Sequence, residues 1–257
     1  MAIEFDSGPP AAWATLFSKL PDYSPFKEHF WFDWGPIFYR GRLDGSAKVL
    51  CIASDPGAME RIAGRTLVGD AGQRVQGFLA KLGITRSYLC LNAFAYGLFP
   101  THAGQAGPVL NDPEQLSWRN KVYDKAKGAK AQAIIAFGGE AQDAVALWPG
   151  KGTTPLFKLP HPSSHDPNTL VTKWRAAIPN LRAIVPADAD GNPNLPNYGN
   201  AFTEADYAPI PRRDLPYGVP AFLGDDAWVR KTDPHGSSVK RPSPDDRHTL
   251  IWKAPQS

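Results

Sequence analysis

The chain has few cysteines, and this scarcity excludes several kinds of site. Only two occur among 257 residues, whereas structural zinc sites and iron–sulfur clusters are commonly built from four. Cys51 and Cys90 lie in apolar runs, where a thiol is usually a small buried hydrophobe. No histidine and cysteine stand at zinc-finger spacing. The sequence therefore predicts no metal and no cofactor, and it fits a reducing compartment.

Long apolar runs and blocks of like charge are also missing. No run reaches about 18 apolar residues, so no membrane span is expected. The segment 1–6 lacks the basic-then-apolar pattern of a signal peptide. With 42% hydrophobic and 21% charged residues, the chain is not globally disordered. We therefore expect a folded cytoplasmic protein.

Proline is in excess, and its distribution divides the chain. Residues 186–257 hold 11 of the 26 prolines. Residues 1–185 carry 20 Lys and Arg against 15 Asp and Glu, a balance compatible with a polyanionic partner. We expect an aromatic-rich N-terminal helical region at 1–45, an α/β core at 46–185, and a proline-rich C-terminal extension at 186–257. The extension is rich in aromatic residues, so we expect it to wrap over the core in an extended form.

Short apolar runs alternate with helical patterns along the core. The predicted strands are 48–53, 88–92, 133–137 and 156–159. The predicted helices are 71–82, 118–129, 140–147 and 170–178. Such alternation predicts a parallel sheet with helices on both faces. In these sheets, ligands bind at the carboxyl ends of the strands.

Polar residues follow each of the four predicted strands. They are 54–57 (Ser-Asp-Pro-Gly), Asn92, 138–139 (Gly-Gly) and 161–164 (His-Pro-Ser-Ser). Taken singly, they have structural explanations: a turn aspartate, a strand-end amide, and a histidine held between two prolines. Taken together, they place a carboxylate, an amide and an imidazole at one edge of the sheet.

Asp55, Asn92 and His161 form a set that suits cleavage of a bond to a nitrogen base. The carboxylate can stabilise cationic character on a sugar and orient a water molecule. The amide can pair with the edge of a base. The imidazole can stabilise the departing anionic base.

These segments resemble motifs of the uracil-DNA glycosylase superfamily. Residues 53–57 look like its Gly-Gln-Asp-Pro or Gly-Glu-x-Pro-Gly loop, and 65–72 are similar to the Pro-Phe-Val-Gly-x-Ala-Gly segment of the iron–sulfur branch. Residues 88–92 look like the strand that ends in the base-recognising asparagine, and 161–164 like the His-Pro-Ser loop. The resemblance runs over about 47–185. It implies a three-layer α/β/α domain with a central four-stranded parallel sheet.

The resemblance also implies a function and a role for each matched residue. The protein would act in base excision repair on uracil-containing DNA, single- or double-stranded, as a monomer associated with the nucleoid. It would flip the target base out of the stack. The implied catalytic residues are Asp55 and His161. The implied base-binding residues are Ser54, Gly57, Leu67, Asn92 and Phe94. The implied DNA-binding residues are Gly139, Ser163, Ser164 and His165.

Four departures from the superfamily's motifs bear on specificity. The chain lacks the four cysteines of the iron–sulfur branch. Leu67 stands where an aromatic ring lies under the flipped base, although Phe94 or Phe99 could supply a ring. Gly57 replaces the tyrosine that excludes thymine in the most uracil-strict branch, and His165 replaces an apolar wedge. We therefore expect a pocket that is wider than in uracil-strict enzymes and that accepts hypoxanthine or xanthine.

Two other kinds of function stay open from the sequence. One is a superfamily member that binds DNA or an abasic site without cutting, or that traps the sugar covalently. That branch has a basic loop with a histidine, and here 97–107 contains His102 but few basic residues. The other is an unrelated doubly wound hydrolase, although the chain has neither a Gly-x-Ser-x-Gly elbow nor a phosphate loop.

Overall fold

A mixed five-stranded sheet lies at the centre of the molecule. The computed structural model describes residues 4–219. The strands are β1 (Phe30–Trp31), β2 (Tyr39–Gly41), β3 (Val49–Ala53), β4 (Tyr88–Asn92), β5 (Gly97–Leu98), β6 (Ala133–Phe137) and β7 (Leu156–Leu159). The spatial order is β2-β4-β3-β6-β7, in which β2 is antiparallel to β4 and the other neighbours are parallel. Strands β1 and β5 form a separate two-stranded antiparallel ribbon.

Helices cover the sheet. They are α1 (Ala11–Phe17), α2 (Ala58–Ala63), α3 (Asp70–Lys81), α4 (Gly107–Asn111), α5 (Pro113–Lys127), α6 (Gly139–Ala146) and α7 (Pro167–Ile184). Short 3₁₀ helices span Ser24–His29, Pro100–His102, Pro149–Lys151, Glu204–Asp206 and Arg212–Asp214. Among the helices of the described region, none is both long enough and apolar enough to cross a membrane.

The predicted strands correspond to the four parallel strands, but the expected strand count was wrong. β3, β4, β6 and β7 lie within one residue of the predicted runs. The sheet gains an antiparallel edge strand, β2, which the sequence analysis did not predict. β2 has only three residues, and its central residue is Arg40. A short segment with a charged side chain lacks the apolar run that marks a buried strand.

Both faces of the inner parallel strands β3, β4 and β6 are buried, and the helices on the two sides make the fold three-layered. Successive side chains of a strand point to opposite faces. Leu50 and Ile52 of β3 pack on the side of α5 and α6, and Val49 and Cys51 pack on the side of α3 and α7. Every residue of β3 is therefore buried, as is typical of parallel strands between two helical layers.

Residues 186–219 run over the α3 and α7 side of the sheet. Tyr198, Phe202 and Tyr207 belong to the hydrophobic core on that side. Gly77 of α3 lies so close to this segment that a Cβ atom there would stand 1.9 Å from the backbone oxygen of Asp206. The remainder of the predicted extension, 220–257, lies outside the described residues. It includes Phe222, Trp228, Arg230, Lys231 and Trp252. The division into regions at 45 and 185 stays a prediction.

A buried ion pair ties this segment to the edge of the sheet. The Nη1 of Arg40 lies 3.1 Å from Asp214 Oδ2, and both side chains are almost completely buried. Arg40 also donates to Gln76 Oε1 at 2.8 Å and to the backbone oxygen of Thr66 at 3.1 Å. Tyr88 donates its hydroxyl hydrogen to the same Asp214 oxygen. The guanidinium thus has partners on several elements.

Removing one member of this pair should be costly. Asp214→Ala leaves the Arg40 charge buried without its carboxylate, so we expect the free energy of unfolding to fall by about 3–5 kcal/mol. Urea denaturation followed by circular dichroism measures the change. The exposed pair of Arg86 and Asp190 is the control, and Arg86→Ala should cost under about 1 kcal/mol. Equal losses in the two variants would contradict the argument.

Candidate active site

The polar residues after the parallel strands meet at one edge of the sheet. Asp55 follows β3, Asn92 ends β4, Gly139 follows β6 and His161 follows β7. Parallel strands present their carboxyl ends at the same edge. The carboxylate of Glu140, in the first turn of α6, influences the pKa of both Asp55 and His161. The structure therefore brings the two predicted catalytic residues to the same edge of the sheet, near Glu140.

Asp55 is held by the ribbon strand β5. Its Oδ2 accepts a hydrogen bond of 2.8 Å from the backbone N–H of Leu98. Burial raises the pKa of Asp55 to about 6, and the negative charges of Glu140 and Glu60 act in the same direction. A carboxylate held this way is ionised at neutral pH and ready to bear a proton in mild acid.

Asn92 has a buried amide without a partner. Its side chain is 8% exposed, and neither Oδ1 nor Nδ2 forms a hydrogen bond with any described residue. The backbone oxygen of Asn92 accepts from the hydroxyl of Tyr123 at 3.2 Å. An unsatisfied buried amide costs free energy, and native proteins rarely leave one unless it serves a ligand or a functional role.

The neutral imidazole of His161 carries its hydrogen on Nε2. The backbone N–H of Ser163 donates to Nδ1 at 3.2 Å, so the neutral ring carries hydrogen on Nε2. Burial lowers the pKa of His161 to about 4, although Glu140 opposes this shift. The imidazole is therefore a neutral hydrogen-bond donor at physiological pH. Gly138 leaves room for it, since a Cβ there would lie 3.1 Å from the Cβ of His161.

Hydrogen bonds fix the histidine loop on both sides of His161. Trp174 Nε1 donates to the backbone oxygen of Pro160 at 3.1 Å. Arg74 Nη1 donates to the backbone oxygen of Pro162 at 2.7 Å. Arg74 also donates from Nε to the hydroxyl of Tyr207 at 2.9 Å. One arginine of α3 thus joins the histidine loop to the segment 186–219.

Glu60 organises the loop that carries Leu67. Its Oε1 accepts from the backbone N–H groups of Val68 at 2.7 Å and Gly69 at 2.8 Å. Leu67 is buried and has a left-handed backbone with φ 51°, a conformation that costs free energy for a leucine. Gly57 packs closely against Glu60: a Cβ atom at that glycine would lie 2.8 Å from Glu60 Oε2.

The other predicted site residues occupy two different environments. Ser54 is buried, and its backbone oxygen accepts from Phe94 N at 3.0 Å. Phe94 is 1% exposed, with its ring centroid 5.4 Å from that of Phe30. These two residues therefore lie inside the fold. The predicted DNA-contacting residues lie on the surface or are half-buried: Gly139, Ser163, Ser164 and His165.

Sequence reasoning missed Glu60, Glu140 and Arg74. Glu140 directly follows the predicted Gly-Gly turn, and this proximity is the one signal that could have found it. Glu60 and Arg74 carry no comparable signal. The partners of Glu60 are backbone N–H groups, which leave no trace in the sequence, and the partners of Arg74 lie 88 and 133 residues away. Charged residues in short helices are usually solvated, so the sequence alone favours a surface role.

The two cysteines lie side by side in the sheet. Cys51 of β3 is paired in register with Cys90 of β4, and both are buried free thiols. Cys90 Sγ lies 3.6 Å from Arg40 Nη2. Across residues 4–219, no three His, Cys, Asp or Glu side chains are grouped as a metal ion would require.

Comparison with protein families identifies the class of protein. The family model described as "Uracil DNA glycosylase superfamily" matches residues 40–176, more than half of the chain. The chain belongs to the uracil-DNA glycosylase superfamily. This membership indicates a DNA-binding protein of the glycosylase type. A search of curated proteins found no match.

The Arg74 contact makes a prediction about the histidine loop that does not depend on enzymatic activity. In Arg74→Gln, the oxygen of Pro162 loses its guanidinium donor, so the loop should loosen and admit water. The pKa of His161 should then rise from about 4 toward its ordinary value, because burial is the cause of its depression. Titration by NMR, with the signal assigned through His161→Gln, measures the change.

Arg175 provides the matched control for this experiment. It donates from Nη1 to Gly199 O and Asn200 Oδ1, both at 3.1 Å. Arg175→Gln therefore weakens the hold on the same C-terminal segment through contacts away from the histidine loop, and the pKa of His161 should stay near 4. A shift of equal size in both variants would show that the segment acts as a whole and that Arg74 has no special part.

Proposed function

We propose that the protein is a monofunctional DNA glycosylase that excises uracil, and a range of other deaminated bases, in base excision repair. The observation that carries this proposal is the buried amide of Asn92, whose donor and acceptor both lack a hydrogen-bond partner among residues 4–219. A purely structural asparagine in this position would satisfy its amide within the protein. The free amide lies at the same sheet edge as Asp55 and His161.

Asn92 is suited to recognise the uracil edge. Uracil presents an N3–H donor beside an O4 acceptor, so Oδ1 of Asn92 would accept from N3–H and Nδ2 would donate to O4. Cytosine carries an amino donor where uracil has O4. This donor would face the Nδ2 donor of Asn92, so cytosine would be disfavoured. The target nucleotide must first leave the base stack, because the amide is buried and the duplex hides both the base edge and the glycosidic bond.

Asp55 and His161 act on the two halves of the breaking bond. The ionised carboxylate of Asp55 would stabilise positive charge on the sugar and orient the attacking water. The neutral imidazole of His161 would donate its Nε2 hydrogen to the base oxygen on which negative charge develops. Water becomes the new substituent on the sugar, and the free base departs. The backbone of Ser54 lies close enough to Asp55 to contact the base as well.

The surface residues around the cleft would hold the DNA backbone. Ser163 and Ser164 can donate through their hydroxyl groups to flanking phosphates, and Gly139 can donate through its backbone N–H. His165 would fill the space that the flipped base leaves. The proposed partner is uracil-containing DNA, single- or double-stranded, bound by one copy of the protein at the nucleoid.

The first prediction concerns the range of bases. Gly57 places no ring against the base, and Leu67 offers apolar contact without aromatic stacking, so the pocket should accept bases larger than uracil. Purified protein should cleave oligonucleotides that carry uracil, hypoxanthine or xanthine, as revealed by alkali treatment of the abasic product. Cleavage of uracil alone would refute the wide pocket. A denaturant-resistant protein–DNA adduct would instead support the covalent-trapping alternative.

The second prediction separates chemistry from binding. Asp55→Ala should reduce single-turnover excision by at least about 100-fold, since it removes the charge that stabilises the sugar cation. DNA binding, measured by fluorescence anisotropy, should persist. Asp143→Ala, at an exposed aspartate of α6, is the control and should keep full activity. Full activity in Asp55→Ala would show that a residue other than Asp55 orients the water.

The third prediction concerns pH. Asp55 must be ionised, so the excision rate should rise with pH through a midpoint near 6 and then level off. His161 is already neutral above about pH 4 and adds no step near neutrality. Glu140→Gln removes a negative charge that raises the pKa of Asp55, so the midpoint should move to lower pH. Glu114→Gln, on the exposed surface of α5, should leave it unchanged, and equal midpoints in all three proteins would contradict the role of Glu140.

A further inference from the structure

We propose that Trp31 and Arg61 form a second DNA subsite beside Asp55, here called the Trp31–Arg61 ledge. The guanidinium would bind a phosphodiester group next to the flipped nucleotide, and the indole would stack on the adjacent base. This inference rests on the proposed function and extends it, because it assigns a binding site to residues outside the motifs of the cleft.

The ledge is joined to the catalytic cleft through the ribbon of β1 and β5. Trp31 of β1 is paired in register with Gly97 of β5. The next residue, Leu98, donates its N–H to Asp55 Oδ2 at 2.8 Å. The backbone position that holds Asp55 is therefore directly adjacent to the position that faces Trp31.

Close packing at Gly97 brings the ledge against the loop of Asp55. A Cβ atom on Gly97 would lie 2.7 Å from the backbone oxygen of Pro56. The same atom would lie 3.8 Å from Trp31 Cδ1 and 3.9 Å from Arg61 Cδ. Trp31, Arg61 and the residue after Asp55 therefore meet around a single glycine.

Arg61 carries a charge that the described part of the protein does not neutralise. No carboxylate between residues 4 and 219 forms an ion pair with it, and its buried Nε has no hydrogen-bond partner. Arg65 and Arg74 in neighbouring positions are paired with Asp6 and Asp70. A half-buried guanidinium without an anion is well suited to a phosphate, which its planar donors can contact at two oxygens.

Trp31 presents an aromatic face that is supported from behind. Its side chain is 39% exposed, its ring centroid lies 4.3 Å from that of Phe99, and Arg61 lies 5.6 Å from its centroid. Phe99 and Arg61 thus restrict the motion of the indole while part of it stays open. Nucleic acid bases stack on exposed rings of this kind, especially in single strands, where their faces are free.

DNA is the occupant that the charge and position favour. The sugar of the flipped nucleotide must lie over Asp55, so the phosphates on either side of it must lie nearby. Arg61 and Trp31 lie beside Gly97, which packs against the backbone of Pro56, the residue after Asp55. Because bases in a duplex already stack on one another, the indole should contribute more to a single-stranded substrate than to a duplex.

The experiment measures binding without requiring excision. The probe is a fluorescent single-stranded oligonucleotide with a central tetrahydrofuran abasic-site analogue, and the same lesion in a duplex is compared. Arg61→Gln should weaken binding about tenfold. The slope of log Kd against the logarithm of the salt concentration should fall by about one, which corresponds to the loss of one phosphate contact. Trp31→Leu should weaken single-strand binding about fivefold and duplex binding less. The single-turnover rate at saturating DNA should change little in either variant.

Matched variants distinguish the ledge from a general effect of charge or apolar surface. Trp34→Leu removes a ring that is 57% exposed, and Arg175→Gln removes a half-buried arginine of α7. Both should bind the probe as the natural protein does. Equal losses in Trp34→Leu and Trp31→Leu would overturn the ledge, as would unchanged binding and salt slope in Arg61→Gln. Thermal unfolding of each variant verifies that it is folded.

Two further outcomes separate this inference from the proposed function. If the natural protein neither binds the probe nor excises a base, the proposed function fails and the ledge with it. If it excises uracil but Trp31→Leu and Arg61→Gln bind as the natural protein does, the ledge alone fails. Sedimentation that shows a dimer lost in Trp31→Leu would assign this surface to a second copy and overturn DNA as its occupant.

Discussion

Parallel pairing of β4, β3, β6 and β7 is the constraint on which the candidate site depends. Each strand contributes only one or two polar residues, and none of them has a distinctive chemistry alone. The shared direction of the strands places those residues at one edge. The inner strands β4, β3 and β6 hold this arrangement because both of their faces are buried under helices. A slip of one residue would therefore move apolar side chains to the wrong layer.

Burial shapes the chemistry of this edge as much as the identity of the residues does. It raises the pKa of Asp55 and lowers that of His161, and it leaves the amide of Asn92 without a hydrogen-bond partner within residues 4–219. Each of these states costs folding free energy. The surrounding contacts offset that cost, notably the hydrogen bonds of Arg74 and Glu60 to loop backbones and the ion pair of Arg40 with Asp214.

The sequence was informative where the interactions are local. Apolar runs marked the four parallel strands, and the polar residues after them marked Asp55, Asn92 and His161 as candidates. The sequence analysis did not predict edge strand β2, because this strand is stabilised by a partner 174 residues away, the carboxylate of Asp214. Such a pairing leaves no periodic trace in either segment. The part of the extension within residues 186–219 is similar, since its aromatic residues join the core only through the tertiary fold.

The amino-acid sequence by itself determined the strand–helix alternation, the order of the motifs and membership of a superfamily, because these depend on neighbouring residues and on short spacings. The tertiary structure alone decided which charges are buried, which donors are satisfied and which remain free. The amide of Asn92 and the guanidinium of Arg61, which lack these partners within the described part of the chain, belong to this second group. The physical reason is that desolvation and hydrogen bonding depend on every atom around a group, and most of those atoms come from distant parts of the chain.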